Sequence, residues 1–548
     1  MLQIPVFSLR LLPPAFCLLL FWASLPVRAA PPGDSLRLVL LLVVDQLRSD
    51  RLDAALPGAL GRLAREGRLY SDAVVDHAVT DTCPGHASVI TGRHPSAAGI
   101  PGNDFIDRET GAPTYCVSDP AEDARVFGSD VGRSPRNLRA TTLGDWMKQA
   151  RPGTRVFSIS GKDRAAIVLG GQNADAAYWF NRSGQVGFTT SRYYAAELAP
   201  WIPAFNSSLF DDMPETWTHE VVSGVPAARP DDFPGESTEY KRTSGHPLLD
   251  RDPEKLAGYL YRTPYLDQIT LAFAAELVER EGLGRGPGPD LLALSLSAVD
   301  TVGHQYGPYS HESRDTLLRL DRELDRFMDS VRSRWGEDSM LVVLTSDHGV
   351  LPLPEWLRST GGLECPDESG RPRLRMLMLR LHWKLHVQLD GFFSLPRRWV
   401  VQAGPYIAVR RSVAKQAGIP VGDVVALVKS QLEGVPSIER LWTAEEIRDE
   451  QGELPELYRH SFVADRSGDL VLQPEATCLI SRYAEGTTHG TPYEYDRRVP
   501  LLFWGSGVER GSVAGRAATI DIAPTLARRL GIAPPPDVDG RSLFEGPR

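Results

Sequence analysis

The sequence has no excess of positive charge. Its 548 residues include 60 lysines and arginines against 70 aspartates and glutamates, which gives a formal net charge of -10 at pH 7. Proteins that bind nucleic acids concentrate positive charge to displace the counterions of the phosphates. The composition therefore argues against a general nucleic-acid-binding protein. An acidic chain can still bind a small anion if metal ions or a few local cations supply the positive charge.

Hydrophobic runs long enough to cross a membrane are also missing. The apolar stretch from Ala15 to Leu25 is well short of the roughly 20 residues that a spanning helix needs. Arg10 precedes it, and Val27-Arg28-Ala29-Ala30 follows it, which is the pattern of a cleavable signal peptide. We therefore predict that residues 1–30 are a signal peptide, with an uncleaved anchor as the alternative. The mature protein is expected to be periplasmic or secreted, without stable membrane insertion.

Cysteine is scarce. One of the five cysteines, Cys17, falls in the predicted signal peptide, and the others are not spaced as a zinc–thiolate cluster. Four cysteines in an oxidising compartment permit disulfides in three possible connectivities, and the sequence does not choose among them. The four are Cys83, Cys116, Cys365 and Cys478.

Apolar runs of strand length recur along the chain and lead into acidic residues or histidines. Leu36 to Val44 is almost unbroken and ends at Asp45, as expected of a buried parallel strand. Further apolar runs of strand length are Asp290 to Ser297 before Asp300, Met340 to Ser346 before Asp347 and His348, and Arg498 to Trp504.

Segments with helical spacing of apolar residues alternate with these strands. They are Ala54 to Glu66, Leu266 to Glu281, Ser313 to Arg332 and Ile520 to Leu530. The alternation predicts an α/β fold, with a central, mostly parallel sheet and helices on both faces. In such sheets, ligands bind beyond the carboxyl ends of the strands.

Two stretches interrupt the alternation. We predict one catalytic domain, residues 31–548, with inserted cap segments at about 170–289 and 351–478. The second contains the basic and apolar run Arg373 to Phe393. This run can be a membrane-surface helix, but we favour a solvated helix that covers the core, because its basic residues do not share one face.

Asp300 and His304 are the first candidate metal ligands. They are four residues apart, so both side chains project to the same side of a helical turn. Carboxylate oxygen and imidazole nitrogen are ligands that zinc accepts. An isolated pair of this kind is more often a helix cap and a surface histidine.

Further candidate ligands stand at the ends of other strands. Asp45, Asp347 and His348 directly follow apolar strands, and His489 lies in a small-residue loop just before one. Each alone is explained by a cap or a turn. Together with Asp300 and His304 they provide two sets of three ligands, which fit two zinc ions in a site for phosphoryl transfer.

Thr82 is the candidate nucleophile. Its surroundings, Val79 to Gly92, read as a loop entering a helix, with Pro84 suited to the first turn. At a helix N-terminus the backbone N–H groups and the dipole favour an anion. A threonine there is usually only a cap, and its hydroxyl becomes a nucleophile only when a base or a metal removes the proton.

These motifs, in this order, resemble the alkaline phosphatase superfamily, specifically its PafA-type alkaline phosphatases with a threonine nucleophile. The resemblance spans nearly all of the mature chain. The matching segments are Thr82-Cys83-Pro84-Gly85-His86, Gly102-Asn103-Asp104, Gly161-Lys162-Asp163-Arg164, Asp300 to His304, Asp347-His348-Gly349, Thr488-His489-Gly490 and Asp539 to Leu543.

The resemblance implies an exported enzyme that hydrolyses small-molecule phosphate monoesters through a phosphothreonine and holds two zinc ions per chain. It implies no protein partner. One zinc ion would be bound by Asp300, His304 and His489, and the other by Asp45, Asp347, His348 and the Thr82 oxygen. The phosphoryl group would be bound by Asn103, Lys162 and Arg164.

Other readings exist for the phosphate-binding residues. Asn103 can be a turn asparagine, and Lys162 and Arg164 can belong to a solvated loop. These two cations follow the predicted strand Arg155 to Ser160, and their alternate positions can direct both at the same anion.

Three other functions are alternatives to this one. Nucleotide pyrophosphatases/phosphodiesterases share the Thr-x-Pro-x-His pattern, but the fixed cations Lys162 and Arg164 favour the more highly charged monoester. Sulfatases of the superfamily need Cys or Ser where Thr82 stands, and Arg where His86 stands. A non-catalytic exported protein that binds metal or phosphate would be attractive if a ligand or the nucleophile were missing, and none is.

Overall fold

The computed structural model describes Met1 and residues 36–544, except 109–110, 212, 221–228, 249 and 251. Apart from Met1, the predicted signal peptide lies outside the described residues. Among the described helices, none has both the length and the apolar character needed to cross a membrane.

The strands of the described chain form one large sheet and three smaller ones. In chain order they are β1 Leu38–Val44, β2 Arg68–Val74, β3 Asp104–Ile106, β4 Pro113–Tyr115, β5 Val156–Ser160, β6 Ala176–Asn181, β7 Gly187–Thr189, β8 Thr216–Trp217, β9 His246–Pro247, β10 Asp290–Leu296, β11 Met340–Thr345, β12 Val400–Ala403, β13 Tyr406–Val409, β14 Ile438–Thr443, β15 Leu470–Pro474, β16 Leu501–Gly505 and β17 Gly511–Ala518.

The large sheet has nine strands in the order β17-β2-β16-β11-β1-β10-β5-β6-β7. β1 lies inside it and pairs in parallel with β10 and β11, and the parallel pairing continues through β5 to β6. The predicted α/β fold with a mostly parallel central sheet is confirmed.

β16 departs from the prediction. The run Arg498 to Trp504 resembles the parallel strands in sequence, but β16 is antiparallel to β11. An apolar run reports burial on both faces and carries no information about direction. Because of this reversal, the start of β16 lies at the edge where the parallel strands end, and the loop that carries His489 arrives there.

Helices cover both faces of the sheet. They are α1 Ala59–Glu66, α2 Thr82–Thr91, α3 Pro95–Ala98, α4 Leu143–Ala150, α5 Asp163–Gly170, α6 Trp201–Ser207, α7 Pro253–Leu260, α8 Tyr265–Arg280, α9 Ala298–Tyr306, α10 His311–Trp335, α11 Pro354–Thr360, α12 Leu374–Leu385, α13 Arg411–Ala417, α14 Val421–Leu432, α15 Ala444–Asp449, α16 Glu453–Ser461, α17 Glu494–Arg497 and α18 Ile522–Arg529.

Alternate residues of β1 enter two different hydrophobic clusters. Leu40 and Leu42 pack in the cluster that includes residues of α8 and α10, whereas Leu41 and Val43 pack in the one that includes residues of α4 and α18. A strand buried on both faces needs this continuous apolar sequence. Each helix face that covers β1 therefore helps to hold its carboxyl end, where Asp45 lies.

The two segments predicted as insertions differ in structure. Within 170–289, β6 and β7 belong to the central sheet, and β8 and β9 form a separate two-stranded sheet. Within 351–478, the strands form an antiparallel sheet of their own, in the order β12-β13-β15-β14. The division of the chain into a catalytic domain with two caps stays a prediction.

The basic and apolar run from Arg373 to Phe393 forms α12 and one further turn of π-helix. Leu381 and Leu385 are buried in the cluster around the four-stranded sheet, so the helix covers a core as expected. Its other side exposes Leu379 and Trp383.

Candidate active site

The predicted ligands meet at the edge of the central sheet where the parallel strands end. Asp45 directly follows β1, and Asp347 and His348 follow β11 closely. Asp300 and His304 lie in α9, which begins two residues after β10. Four of these side chains are almost completely buried: Asp45, Asp300, Asp347 and His348. The three buried carboxylates need a cation or a proton to balance their charge.

Asp300, His304 and His489 form one cluster. His304 Nε2 lies 3.2 Å from Asp300 Oδ1, and His489 Nε2 lies 3.7 Å from the same oxygen. Their potential ligand atoms lie within 4.8 Å of one another. The structure thus brings together one of the two ligand sets expected from the sequence.

Asp45, Asp347 and His348 form the second cluster. His348 Nε2 lies 3.6 Å from Asp45 Oδ1 and 3.4 Å from Asp347 Oδ2. Asp45 Oδ1 and His348 Nε2 are buried and have no hydrogen-bond partner, and Asp347 Oδ2 has only the ring of His86 nearby, at 3.1 Å. Buried polar atoms without partners are costly, and atoms that face one another in this way are suited to a shared metal ion.

The three histidines are held in one tautomer. The Nδ1 atoms of His304, His348 and His489 lie 2.7–2.9 Å from the carbonyl oxygens of Thr487, Gly349 and Thr80, respectively. A carbonyl oxygen only accepts, so each Nδ1 donates, and in the neutral ring the lone pair is on Nε2. Every Nε2 is therefore prepared for a metal ion.

The protonation of two of these rings suits metal binding. Burial lowers the pKa of His348 and of His489, which keeps both rings in the neutral form that binds metals. Burial acts in the same direction on His304, but the neighbouring Asp300 carboxylate raises its pKa overall. A metal ion at this cluster would compete with that proton.

The spacing of the ligand atoms fits zinc. Ligands held at ~2.0–2.1 Å around a tetrahedral zinc ion lie about 3.3–3.4 Å apart. The four distances between histidine and carboxylate atoms in the two clusters range from 3.2 to 3.7 Å. The donor sets and their spacing both fit a site of two divalent ions.

The two clusters adjoin each other. The rings of His348 and His489 stack with centroids 3.6 Å apart. The Lys162 ammonium group donates to Asp45 Oδ2 and to Asp300 Oδ2, both at 2.5 Å. Although burial favours the neutral amine, the Asp300 and Asp45 carboxylates raise the pKa of Lys162 above its usual value. Lys162 thus balances part of the negative charge of both clusters.

Thr82 begins α2 and is completely buried, which confirms the predicted position at a helix start. The first turn of this helix packs on the second cluster, since a Cβ on Gly85 would lie 2.7 Å from the Cβ of Asp347. Arg164 Nη2 donates to Thr82 Oγ1 at 3.3 Å. Lys162 and Arg164 have different hydrogen-bond partners in this structure but line one cavity, and their binding of one anion stays a prediction.

Asn103 is tied to the start of the same helix. The backbone N–H of Cys83 donates to Asn103 Oδ1 at 2.9 Å, so the amide NH₂ remains as its free donor group. A disulfide joins Cys83 to Cys116, and the N–H of Cys116 donates to the carbonyl oxygen of Asn103. The second disulfide joins Cys365 to Cys478. The structure thus selects one of the three connectivities that the sequence left open.

Gln46, Tyr115 and the ring of His86 are functional candidates to which sequence reasoning gave no role. Gln46 has a positive φ of 68°, and its side chain donates to Asp300 Oδ1 at 2.9 Å. His86 Nδ1 lies 3.1 Å from Asp347 Oδ2, and Tyr115 lies 3.5 Å from Arg164 Nη1. In the sequence, a role was indicated only by the position of Gln46 beside Asp45 and by that of His86 in the Thr82 motif.

A cleft of about 470 Å³ opens above the site. Its polar lining includes Asn103, Arg164, His304 and His489. The predicted insertion 351–478 contributes apolar residues such as Leu472 to the opposite wall. The cleft therefore admits a small anion with an attached organic group.

The chain matches a family model described as type I phosphodiesterase/nucleotide pyrophosphatase over residues 39–495. Alkaline phosphatase PhoK of Sphingomonas sp is 32% identical over 94% of this chain and 92% of its own. Alkaline phosphatase PafA of Elizabethkingia meningoseptica is 30% identical over 93% of this chain and 94% of its own.

Solved structures agree with these matches. The crystal structure of alkaline phosphatase PafA superposes with a TM-score of 0.84 at 28% identity, covering 94% of this chain and 99% of that one. Murine ectonucleotide pyrophosphatase/phosphodiesterase 5 superposes with a TM-score of 0.51 at 15% identity, over 91% and 96% of the two chains. That second likeness shows a common fold alone.

The family model and the full-length relatives point to different substrates, since one description names diesters and the others name alkaline phosphatases. The relatives cover nearly the whole chain at 30% identity or more, whereas a curated nucleotide pyrophosphatase/phosphodiesterase matches only 11% of it. The chain therefore belongs to the type I phosphodiesterase/nucleotide pyrophosphatase family and, within it, is a phosphoric monoester hydrolase similar to the alkaline phosphatases PafA and PhoK.

Proposed function

We propose that this protein is an exported, zinc-dependent alkaline phosphatase that hydrolyses small-molecule phosphate monoesters through a phosphothreonine at Thr82. The observation that carries the proposal is the position of Thr82, at a helix start that packs against one of two adjoining clusters of metal ligands. Zinc ions bound there would supply Lewis acidity that favours an oxygen nucleophile and neutralises the charge of the phosphoryl group.

The proposed reaction has two steps. Thr82 Oγ forms a bond to phosphorus while the bond from phosphorus to the alcohol oxygen breaks. The alcohol leaves with a proton, and water then attacks the phosphothreonine and restores the Thr82 hydroxyl. Each step inverts phosphorus, so the two together retain its configuration.

Arg164 prepares this reaction in two ways. Its hydrogen bond to Thr82 Oγ1 favours the deprotonated oxygen, because a positive donor stabilises the charged form. Its planar fork can also bind an oxygen of the transferred group. Asn103 supplies its amide NH₂ as a further donor. We propose that Lys162 acts by balancing Asp45 and Asp300, the carboxylates that it contacts.

The two alternative functions, a phosphodiesterase and a non-catalytic binding protein, would need fewer of these residues. A phosphodiesterase would need no fixed cation for the oxygen that carries its second ester group. A non-catalytic binding protein would need no nucleophile, yet Thr82 is buried beside the ligands with a positively charged donor on its hydroxyl. These features favour the monoesterase.

Paired substrates and metal analysis test the proposal. We expect the purified protein to hydrolyse an aryl phosphate monoester faster than the matched diester, to lose activity with a chelator and to regain it with zinc. Substituting Asp300 or His489 should weaken one zinc site, and substituting Asp45 or Asp347 the other. An active enzyme without divalent metal would refute the mechanism, and a preference for the diester would refute the substrate class.

Export has a separate test. The N-terminal sequence of the mature protein, recovered from the periplasm or the medium, should begin near residue 31. A protein that keeps residues 1–30 would refute cleavage but leave the catalytic proposal untouched.

A further inference from the structure

A third group of potential metal ligands lies outside the active site, between the β8–β9 pair and the start of α10. His219 follows β8, His246 is in β9, and Glu312 is in the first turn of α10. Glu312 is 0% exposed and His246 1%, and the side chain of His219 is 9% exposed. No motif in the sequence joins these three residues.

The three side chains converge on one point. The Nε2 atoms of His219 and His246 lie 3.3 Å apart. Glu312 Oε1 lies 3.3 Å from His246 Nε2 and 3.6 Å from His219 Nε2. These distances match the separation of about 3.3–3.4 Å between ligands of a tetrahedral zinc ion. They also fall within the range found in the two active-site clusters.

The two imidazoles are oriented for metal binding. His246 Nδ1 donates to the carbonyl oxygen of Tyr240 at 2.9 Å, and His219 Nδ1 faces Asp231 Oδ1 at 3.3 Å. The hydrogen bond to Tyr240 leaves the lone pair of His246 on Nε2, and His219 Nε2 lies within hydrogen-bond distance of it. A cation at the common point would take the place of the proton between them, and a carboxylate behind a metal-binding histidine is a frequent arrangement. Without the cation or the proton, two lone pairs and a carboxylate would repel one another.

Glu312 supplies an independent observation. Both of its carboxylate oxygens are buried and have no hydrogen-bond partner. A buried carboxylate without a partner is strongly unfavourable. Both oxygens can bind one ion, so together with the two imidazoles they complete four donor atoms.

A second histidine group, around His94, has a different arrangement of carboxylates. His94 Nε2 lies 3.3 Å from Asp76 Oδ2, and His94 Nδ1 lies 3.4 Å from Asp539 Oδ2. Each ring nitrogen thus has its own carboxylate, as expected of a protonated imidazole. His460 stacks on this ring. There each ring nitrogen of His94 has its own carboxylate, whereas Glu312 Oε1 is shared by two imidazole nitrogens.

We propose that His219, His246 and Glu312 bind a structural zinc ion that joins the β8–β9 pair to the start of α10. The ion would fix part of the predicted insertion 170–289 to α10. This helix follows α9, which carries Asp300 and His304. The proposal does not depend on the proposed active-site chemistry, because it rests on a separate set of ligands.

The test removes the active-site ligands first. In the full-length variant Asp300→Ala/Asp347→Ala, each active-site cluster lacks a carboxylate, and we expect about one zinc ion per chain to remain after dialysis. Adding His246→Ala or the nearly isosteric Glu312→Gln should remove it, whereas adding His460→Ala should not. Zinc should raise the thermal midpoint of the first variant and of the His460 control, but not that of the other two.

Two results would overturn the proposal. Zinc content unaffected by both His246→Ala and Glu312→Gln would place the remaining ion elsewhere. No bound zinc in the folded Asp300→Ala/Asp347→Ala variant would mean that a proton shared by the histidines balances Glu312 instead. In crystals of the parent protein, an anomalous zinc peak between the three side chains should be present.

Discussion

The guanidinium of Arg164 donates to the hydroxyl of Thr82, which lies 82 residues earlier in the chain. The two residues are brought together because Thr82 begins α2 and Arg164 lies in the first turn of α5. Tyr115 and Arg133 hold Asp163, the residue beside Arg164. The nucleophile and its cation therefore stand on two helix starts, which are more rigid supports than free loops.

Thr82→Ala should leave metal content largely unchanged and reduce turnover of an aryl phosphate by orders of magnitude, because the attacking oxygen is lost. Thr91→Ala, at the other end of α2, is the matched control and should keep most activity. Rapidly quenched parent enzyme should contain phosphothreonine. Near-normal turnover in the Thr82 variant would remove this residue from its assigned role.

Arg164→Ala should lower kcat/KM for a phosphate monoester more than for the matched diester. A charge-assisted hydrogen bond contributes ~1.5–3 kcal/mol, or about one to two orders of magnitude. Arg164→Lys keeps the charge but loses the planar fork and should recover only part of the loss. Equal losses on both substrates would show that Arg164 acts through Thr82 or the fold and does not bind the additional charge of the monoester.

Lys162→Met should destabilise the metal-free protein more than the zinc-loaded protein. Without the ammonium group, two buried carboxylates repel each other, and breaking such a buried pair costs about 3–5 kcal/mol. Zinc would balance the same carboxylates. Urea unfolding with chelator and with zinc measures both free energies.

Lys148→Met is the control for the Lys162 experiment. It removes an ion pair with Asp175 that is partly exposed, so the expected loss is at most about 1 kcal/mol with or without metal. A Lys162 variant whose loss is equally large in both forms would contradict the assigned role.

The two disulfides should differ in what they support. Cys83 and Cys116 hold Asn103 against the start of α2, so replacing both with Ala should reduce kcat/KM roughly ten- to a hundredfold by misplacing the site. Cys365 and Cys478 close a longer loop, with a sequence separation of 113 against 33. In the chain-entropy model their loss costs about 5 kcal/mol against about 4. Activity and unfolding assays should therefore rank the two variants in opposite orders.

His94 should make the unfolding free energy depend on alkaline pH. Although burial opposes it, the Asp539 and Asp76 carboxylates raise the pKa of His94 from 6.5 to about 9. A raised pKa stabilises the fold fully below pH 6.5, and the stabilisation is lost as the pH rises through about 9. The shift corresponds to at most about 3 kcal/mol. The difference in unfolding free energy between the parent and His94→Gln should therefore shrink between pH 6.5 and 10, and a constant difference would contradict this account.

The sequence was most informative where chemistry and strand ends coincide. Asp45, Asp300 and Asp347 could be placed at one edge because an apolar strand leads into each of them, and the ends of parallel strands share that edge. The start of α2 was also predictable, because Pro84 suits only the first turn of a helix.

Other features depend on contacts between distant segments, which a single sequence does not encode locally. The direction of β16 and the membership of β6 and β7 in the central sheet are of this kind. The contact of Lys162 with two carboxylates, each more than 100 residues away, had no local signal. The group around Glu312 joins three segments that share no motif.

The place of β2 in the sheet makes the site depend on a distant part of the chain. Its two neighbours, β16 and β17, lie at residues 501–518, more than 400 residues later in the chain. β2 is thus made long before either of its partners, and Thr82 follows it by only a few residues. His489 also arrives late. A chain cut before β16 would therefore lack both partners of the strand that precedes Thr82, and we expect that its metal ligands and nucleophile would not be held together.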